Sequence, residues 1–259
     1  MSRTLVTATV LLLTVGTSSF AQSECSERCI PEWKQVHQFA DHFRGYFIRE
    51  FAACEDCHTW SGKRLFVLLS NLSKEDSFVY EWTIRRGLGR PFRWTDMRAL
   101  AIYDDGRGKG LLLGGGTWRR DPLQRSRTVW QLDGLVWLPV SDMYLDFGYF
   151  PEGSKPARVE PKVNDIEMID GTIFAVGWQK ALPAPFGLVA AWDATVAKWK
   201  QFGGFLGKEA VRVTGYQSEI YVVTGQNLRR RDGLKWVIEA ELAANITDML
   251  VAGGCPDRS

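Results

Sequence analysis

Short apolar runs closed by glycine recur along most of the chain. Residues 99–103 and 111–113 are two such runs, and the segment between them is rich in Asp and Gly. Their length, their alternation and the flanking turn residues are typical of two β-strands joined in a hairpin. Helical periodicity is weak except in a short segment at residues 33–49, where we expect a helix. The pattern therefore predicts an all-β protein with a short N-terminal helical segment.

The same hairpin is repeated downstream, at residues 166–176 and again at residues 210–225, and a more degenerate copy begins at residue 48. Each copy is followed by two further predicted strands, and the last strand carries a tryptophan. These closing tryptophans, which are 43, 62 and 37 residues apart, are Trp94, Trp137, Trp199 and Trp236. The longest interval contains an insertion at residues 149–162. The spacing indicates a repeat whose length corresponds to about one four-stranded sheet.

Four-stranded units at this spacing are typical of β-propeller blades, because one small sheet cannot bury both faces until neighbours pack against it. A β-sandwich or barrel is the alternative. Residues 245–253 resemble the opening of a further unit, and residues 33–36 resemble a closing end. We therefore expect a small propeller of four to five blades, closed by strands from both termini. A chain truncated from a longer propeller would explain the same pattern.

One unit also carries a resemblance to known proteins. Residues 99–106, residues 110–115 and the segment from Trp130 to Trp137 resemble the repeat of uncharacterised exported bacterial proteins with kelch-like propeller folds. The similarity extends over roughly residues 48–254 and is close in this unit alone. It implies a propeller fold and an extracytoplasmic setting. Since that family has no assigned activity, it implies no catalytic residue.

The first 21 residues predict a secretory signal peptide. Arg3 precedes an apolar stretch at residues 5–15, and small residues occupy the positions before a cut after Ala21. The stretch is shorter than the roughly 20 residues of a bilayer span, so we expect no membrane span. The expected organisation is a signal peptide at 1–21, a Cys-containing segment at 22–47 and a propeller-like repeat domain at 48–259, secreted or periplasmic.

The segment Cys54-Glu55-Asp56-Cys57-His58 fits the C-x-x-C-H pattern of c-type haem attachment. Aligned on the repeat, however, Cys57 and His58 fall in a hairpin turn, where a haem would be exposed. Small cytochromes surround their haem with helices, whereas the following sequence predicts strands. No cofactor is therefore expected, and covalent haem c on Cys54, Cys57 and His58 is the alternative.

Disulfides are the favoured role for the cysteines, because an exported protein reaches an oxidising compartment. The five candidates are Cys25, Cys29, Cys54, Cys57 and Cys255. A bridge from Cys255 to Cys25 or Cys29 would tie the chain ends together, leaving Cys54 and Cys57 to pair locally. An odd cysteine remains in any pairing.

Charge and motifs suggest no catalytic chemistry. The formal net charge of +2 gives no basic field for nucleic acid. The three histidines lack a metal-ligand spacing, and neither a Ser/His/Asp arrangement nor a phosphate loop is found. Arg229-Arg230-Arg231 would suit a polyanion such as an acidic glycan, although such a run is more often a solvated loop. Tryptophans would suit sugar rings, although blade packing explains them better.

We therefore expect an exported, monomeric, non-enzymatic binding or scaffold module, whose ligand is an extracytoplasmic protein or a glycan. The first alternative is a periplasmic electron-transfer protein with haem c. The second is a propeller hydrolase or lyase acting on glycans at the central channel.

Overall fold

The structure, a computed structural model, describes residues 9–12, 34–38, 46–57, 62–71, 76–83, 87–89, 91–104, 109–116, 128–133, 136–140, 161–179 and 186–246. Within these ranges every helix or strand is a β-strand, which confirms the all-β prediction. The chain divides into two compact units, one of Met1–Phe47 with Ala252–Ser259 and one of Ile48–Val251.

The first unit contains one antiparallel pair, β1 (Thr9–Leu12) and β2 (Lys34–Gln38). The prediction of a helix at residues 33–49 is wrong, because β2 and the start of the next strand occupy the described part of that segment. Pairing with β1 satisfies the backbone N–H and C=O groups of β2, which overrides a weak helical preference. Strand β1 lies inside the predicted signal peptide, so this pairing would belong to the uncleaved chain.

The second unit contains four antiparallel sheets that follow one another along the chain. Sheet 1 contains β3 (Phe47–Glu55), β4 (Lys63–Asn71), β5 (Asp76–Thr83), β6 (Gly87–Leu88) and β7 (Phe92–Thr95). Sheet 2 contains β8 (Met97–Asp104), β9 (Lys109–Gly115), β10 (Val129–Asp133) and β11 (Val136–Pro139). Sheet 3 contains β12 (Pro161–Ile169), β13 (Thr172–Gln179), β14 (Phe186–Asp193) and β15 (Lys198–Gln201). Sheet 4 contains β16 (Arg212–Tyr216), β17 (Glu219–Thr224), β18 (Asn227–Asp232) and β19 (Lys235–Glu241).

The predicted hairpins are confirmed, and their turns explain why the strands pair. Asp170 and Gly171 join β12 to β13 with φ angles of 48° and 77°. Two successive positive φ angles define the tight turn whose twist matches that of paired strands, and Asp-Gly is a favoured sequence for it. Sheets 2, 3 and 4 are meanders of consecutive strands, whereas in sheet 1 both β6 and β7 pair with β5.

Apolar layers join each sheet to the next. The layer between sheets 1 and 2 includes Phe66, Leu68, Leu111 and Leu113. The layer between sheets 2 and 3 includes Leu112, Ile166, Leu188 and Trp199, and the layer between sheets 3 and 4 includes Phe174, Val189, Val213 and Val222. This face-to-face stacking of small sheets is the packing expected of propeller blades.

The closing tryptophans lie in these layers. Trp94, Trp137, Trp199 and Trp236 occupy the last strand of sheets 1, 2, 3 and 4 in turn. Trp199 is fully buried, and Trp94 stands edge-on to Trp137 with ring centroids 5.5 Å apart. Their role is therefore blade packing, as the repeat predicts, and sugar stacking is not favoured for them.

A glycine in a second strand permits the close approach of the next blade. A Cβ atom on Gly114 of β9 would lie 2.7 Å from Ile166 Cδ1 and 2.8 Å from Val163 Cγ1, both on β12. These distances are too short for carbon atoms in van der Waals contact. The glycine that closes this predicted hairpin thus has a packing reason.

The first strands of the four sheets surround one cavity, so we call β3, β8, β12 and β16 the inner strands. Sheet 4 also returns to sheet 1, since Arg212 Nη2 of β16 lies 3.6 Å from Glu50 Oε2 of β3. The second unit is a small β-propeller with four described sheets. The N-terminal strand expected in a shared fifth blade, β2, pairs with β1. Residues 247–253, its expected partner, lie outside the described residues.

Candidate functional site

The open cavity between the inner strands, which we call the axial cavity, has a volume of about 370 Å³. It is lined by residues 50–52 of β3, 100–102 of β8, 165–168 of β12 and 212–213 of β16. All four sheets therefore contribute to one site. A cavity of this volume accommodates a small molecule.

Strand alternation divides the side chains of β12 between its two neighbouring sheets. Ile166 packs in the apolar layer toward sheet 2. The two carboxylates on either side of it point toward β16 instead. Asp165 Oδ2 accepts a hydrogen bond from the backbone N–H of Val213 (2.9 Å), and Glu167 Oε1 accepts one from Thr214 Oγ1 (3.2 Å).

The two carboxylates differ in how they are held. Asp165 is buried, and its Oδ1 atom also accepts a hydrogen bond from the backbone N–H of Ile166 at 3.0 Å. Burial and the nearby Asp165 carboxylate raise the pKa of Glu167 to about 7, with the Thr214 hydroxyl acting weakly in the other direction. Glu167 therefore exchanges a proton with solvent close to neutral pH.

A chain of polar contacts connects the four inner strands, and we call its members, Arg49, Arg98, Asn164 and Arg212, the polar ring. Each belongs to a different inner strand. Arg49 Nε donates to the Arg98 carbonyl (3.2 Å), and Arg98 Nη1 donates to Asn164 Oδ1 (2.9 Å). Arg212 Nη1 donates to the Asn164 carbonyl (3.4 Å) and Arg212 pairs with Glu50. The polar ring thus links all four sheets by contacts between neighbours.

Carboxylates offset much of the positive charge of the polar ring. Burial alone would raise the pKa of Asp96, but hydrogen bonds from Arg98 (2.9 Å) and Lys162 (2.7 Å) outweigh it and lower that pKa. Burial lowers the pKa of Arg49, and the charges of Arg212 and Arg98 lower it further. The ring is therefore chiefly a structural network between blades.

The predicted cysteine site is an internal pair. Cys54 and Cys57 form a disulfide with their Cα atoms 5.9 Å apart, and their side chains are 4% and 3% exposed. Haem attachment would use these two thiols instead of the disulfide, so covalent haem c stays an alternative prediction for Cys54 and Cys57. His58 lies outside the described residues. So do the other cysteines, which are Cys25, Cys29 and Cys255.

The other predicted surfaces have internal partners. Arg230 pairs with Glu239 (3.1 Å) and Glu219 (3.7 Å), while Arg229 donates to a threonine hydroxyl at the end of β17. Arg231 lies 3.7 Å above a phenylalanine ring. The arginine run on β18 is therefore engaged within its own sheet and with the preceding segment, so it does not favour a polyanion site. None of the described segments is a helix long and apolar enough to cross a membrane.

Sequence reasoning did not find the residues that line the axial cavity. A signal for the neighbouring polar ring was present, because alignment of the repeat copies places Arg49 over Arg98, in the first strand of each unit. Charged residues inside such apolar strands mark positions that face a shared polar space. Asp165, Glu167 and Arg212 follow the same logic in the later copies.

Comparison with known proteins adds an architectural likeness. No protein-family model matches the chain, and no curated protein matches it. The chain is similar to a solved structure described as "Structure of Dos1 propeller", with a TM-score of 0.45 and 10% sequence identity. The match covers 81% of this chain and 50% of that chain, so this chain spans about half the length of that propeller. Because fold does not transmit function, nothing about the role of that protein is carried over.

Proposed function

We propose that this protein is an exported, non-enzymatic binding module of the kelch-like propeller type, whose ligand enters the axial cavity. The cavity itself carries the proposal, because it brings charged and apolar groups from all four inner strands into one concave site of about 370 Å³. Sites of this size and mixed lining are typical of small-molecule binding.

The cavity also contains an aromatic ring that the fold does not bury. Phe51 of β3 lines the cavity and is 61% exposed. A large apolar side chain left exposed on an inner strand loses the free energy of burial, which is about 1.5–3 kcal/mol for a full side chain. A ligand that covers Phe51 would recover part of it, so the ring is a natural contact for an apolar group.

Export is supported by the predicted cleavage after Ala21 and by the disulfide between Cys54 and Cys57. Disulfides persist in oxidising compartments and are rare in the cytosol. The intact mass of the protein recovered outside the cytoplasm tests this part. We expect a chain that begins at Gln22 and carries no haem adduct. A chain that keeps residues 1–21, or a haem-sized adduct, would contradict it.

Equilibrium dialysis tests the binding function. The mature protein is dialysed against a small-molecule extract of its own host, and the retained compounds are identified by mass spectrometry. The variants are Phe51→Ala in the cavity and Leu234→Ala, a matched control that removes a 77% exposed apolar side chain at the turn between β18 and β19.

We expect compounds that wild type and Leu234→Ala retain and that Phe51→Ala retains less. Equal retention by all three proteins would refute binding in the cavity. Retained compounds should be recovered chemically unchanged. Recovery of cleaved or eliminated products would instead favour the glycan hydrolase or lyase.

A further inference from the structure

One wall of the axial cavity is acidic, and the arginine that lines the cavity is paired with other groups of the protein. Asp165 and Glu167 both belong to β12 and line the cavity. Arg212, across from them on β16, is 9% exposed and contacts Glu50 and the carbonyl of Asn164. Its charge is therefore committed to the protein. The two remaining charged groups of this wall, Asp165 and Glu167, are carboxylates, which disfavour an anion.

The remaining lining is apolar and comes from two other inner strands. Phe51 of β3 presents its exposed ring, while Leu100 and Ile102 of β8 add aliphatic surface. A bare metal ion suits this lining poorly, because no group of three or more His, Cys, Asp or Glu side chains that could hold one occurs among the described residues. An aromatic face and a carboxylate together suit a cationic nitrogen with an apolar body.

We propose that the axial cavity binds an organic cation, with its ammonium group at Glu167 and its apolar body against Phe51. This inference rests on the proposed function, and it names the ligand class for the same site. The ammonium group donates a hydrogen bond to the Glu167 carboxylate, and the aromatic ring attracts the adjacent positive charge.

Binding of the cation is coupled to the release of a proton from Glu167. The charged groups that line the cavity around Glu167 are Asp165 on its own strand, Arg212 on β16 and Glu50 on β3, while the lining residues of β8 are apolar. Because the pKa of Glu167 is about 7, this carboxyl is about half protonated at pH 7. A cation beside it favours the ionised form, so about half a proton leaves for each cation bound at pH 7.

Isothermal titration calorimetry with three matched probes tests the ligand class. Benzylammonium, benzyl alcohol and benzoate share one aromatic body and carry positive, zero and negative charge. We expect benzylammonium to bind at millimolar or lower concentration, and about tenfold more tightly than benzyl alcohol. Benzoate should bind more weakly than either. Titration in two buffers of different ionisation enthalpy measures the released proton.

Two variants assign the contacts. Glu167→Gln preserves size and the hydrogen bond from Thr214, and it should weaken benzylammonium about tenfold and abolish proton release. Phe51→Ala should weaken it about threefold and leave proton release intact. Glu241→Gln, which removes an exposed carboxylate of β19, is the control and should change neither quantity.

Several results would overturn the assignment. These are equal or tighter binding of benzoate or benzyl alcohol, no binding of benzylammonium at millimolar concentration, or unchanged affinity and proton release in Glu167→Gln. None of them decides whether the cavity binds ligands, because the dialysis comparison of wild type with Phe51→Ala tests that separately. A dialysis ligand without positive charge would refute the cation while supporting the binding module.

Discussion

The replacement Glu167→Gln should stabilise the protein increasingly as pH rises. Burial beside Asp165 raises the pKa of Glu167 from 4.5 to about 7 in the folded chain. At low pH both the folded and the unfolded states hold the proton. Between 4.5 and 7 only the unfolded state ionises, which favours unfolding. Wild type therefore loses stability across this window, whereas the glutamine variant has no such proton to lose.

The magnitude follows from the two pKa values. Full conversion of the difference between 4.5 and about 7 gives about 3.4 kcal/mol. Glu167 is only partly buried and lines an open cavity, so solvent screening reduces the effect to about 1–2 kcal/mol. Because glutamine keeps the hydrogen bond from Thr214, loss of that bond does not contribute to the difference in the free energy of unfolding.

Urea denaturation at pH 5 and pH 8 measures this effect. The free energy of unfolding of Glu167→Gln minus that of wild type should rise by about 1 kcal/mol between the two pH values, because the unfolded state is already mostly ionised at pH 5. Glu241→Gln, whose carboxylate is exposed, should show no comparable rise. A pH-independent difference, or a glutamine variant that becomes less stable than wild type as pH rises, would rule out a raised pKa of Glu167 in the folded chain.

Three further replacements test the fold. Trp199→Ala removes a fully buried side chain from a layer between sheets and should lower the free energy of unfolding by about 3–5 kcal/mol, whereas Leu234→Ala at an exposed turn should change it by less than about 0.5 kcal/mol. Replacement of both Cys54 and Cys57 by serine opens a short loop, so chain entropy predicts that the free energy of unfolding falls by about 2 kcal/mol. Denaturation measures this loss, and reduced wild type should show the same stability as the double variant. Gly177→Ala places a Cβ atom against a carbonyl oxygen of the paired strand β12, so thermal denaturation should show a loss of about 1–3 kcal/mol; unchanged stability would contradict the close approach.

The blades were predictable because their signals are local. Asp170-Gly171 sets the turn between two strands, and apolar alternation identifies the strands themselves. A buried tryptophan such as Trp199 marks the end of a unit because one large side chain fills the layer between two sheets. Each of these signals lies within about 40 residues of sequence, which is the length of one repeat.

The axial cavity was not predictable in the same way, because it forms from strands far apart in sequence. Glu167 and Thr214 meet across 47 residues, and Arg212 reaches Glu50 only when the last sheet returns to the first. The prediction of an N-terminal helix was wrong for a related reason. Backbone pairing between β1 and β2 depends on a distant partner that local periodicity does not reveal.

The proposed function requires that a ligand occupy the axial cavity. Backbone-amide NMR tests it most directly, by titration of the labelled mature protein with the compound most strongly retained in dialysis. We predict chemical-shift changes concentrated at residues 50–52, 100–102, 165–168 and 212–213, which line the cavity on the four inner strands. Changes concentrated on the last strand of each sheet, β7, β11, β15 or β19, would contradict the claim.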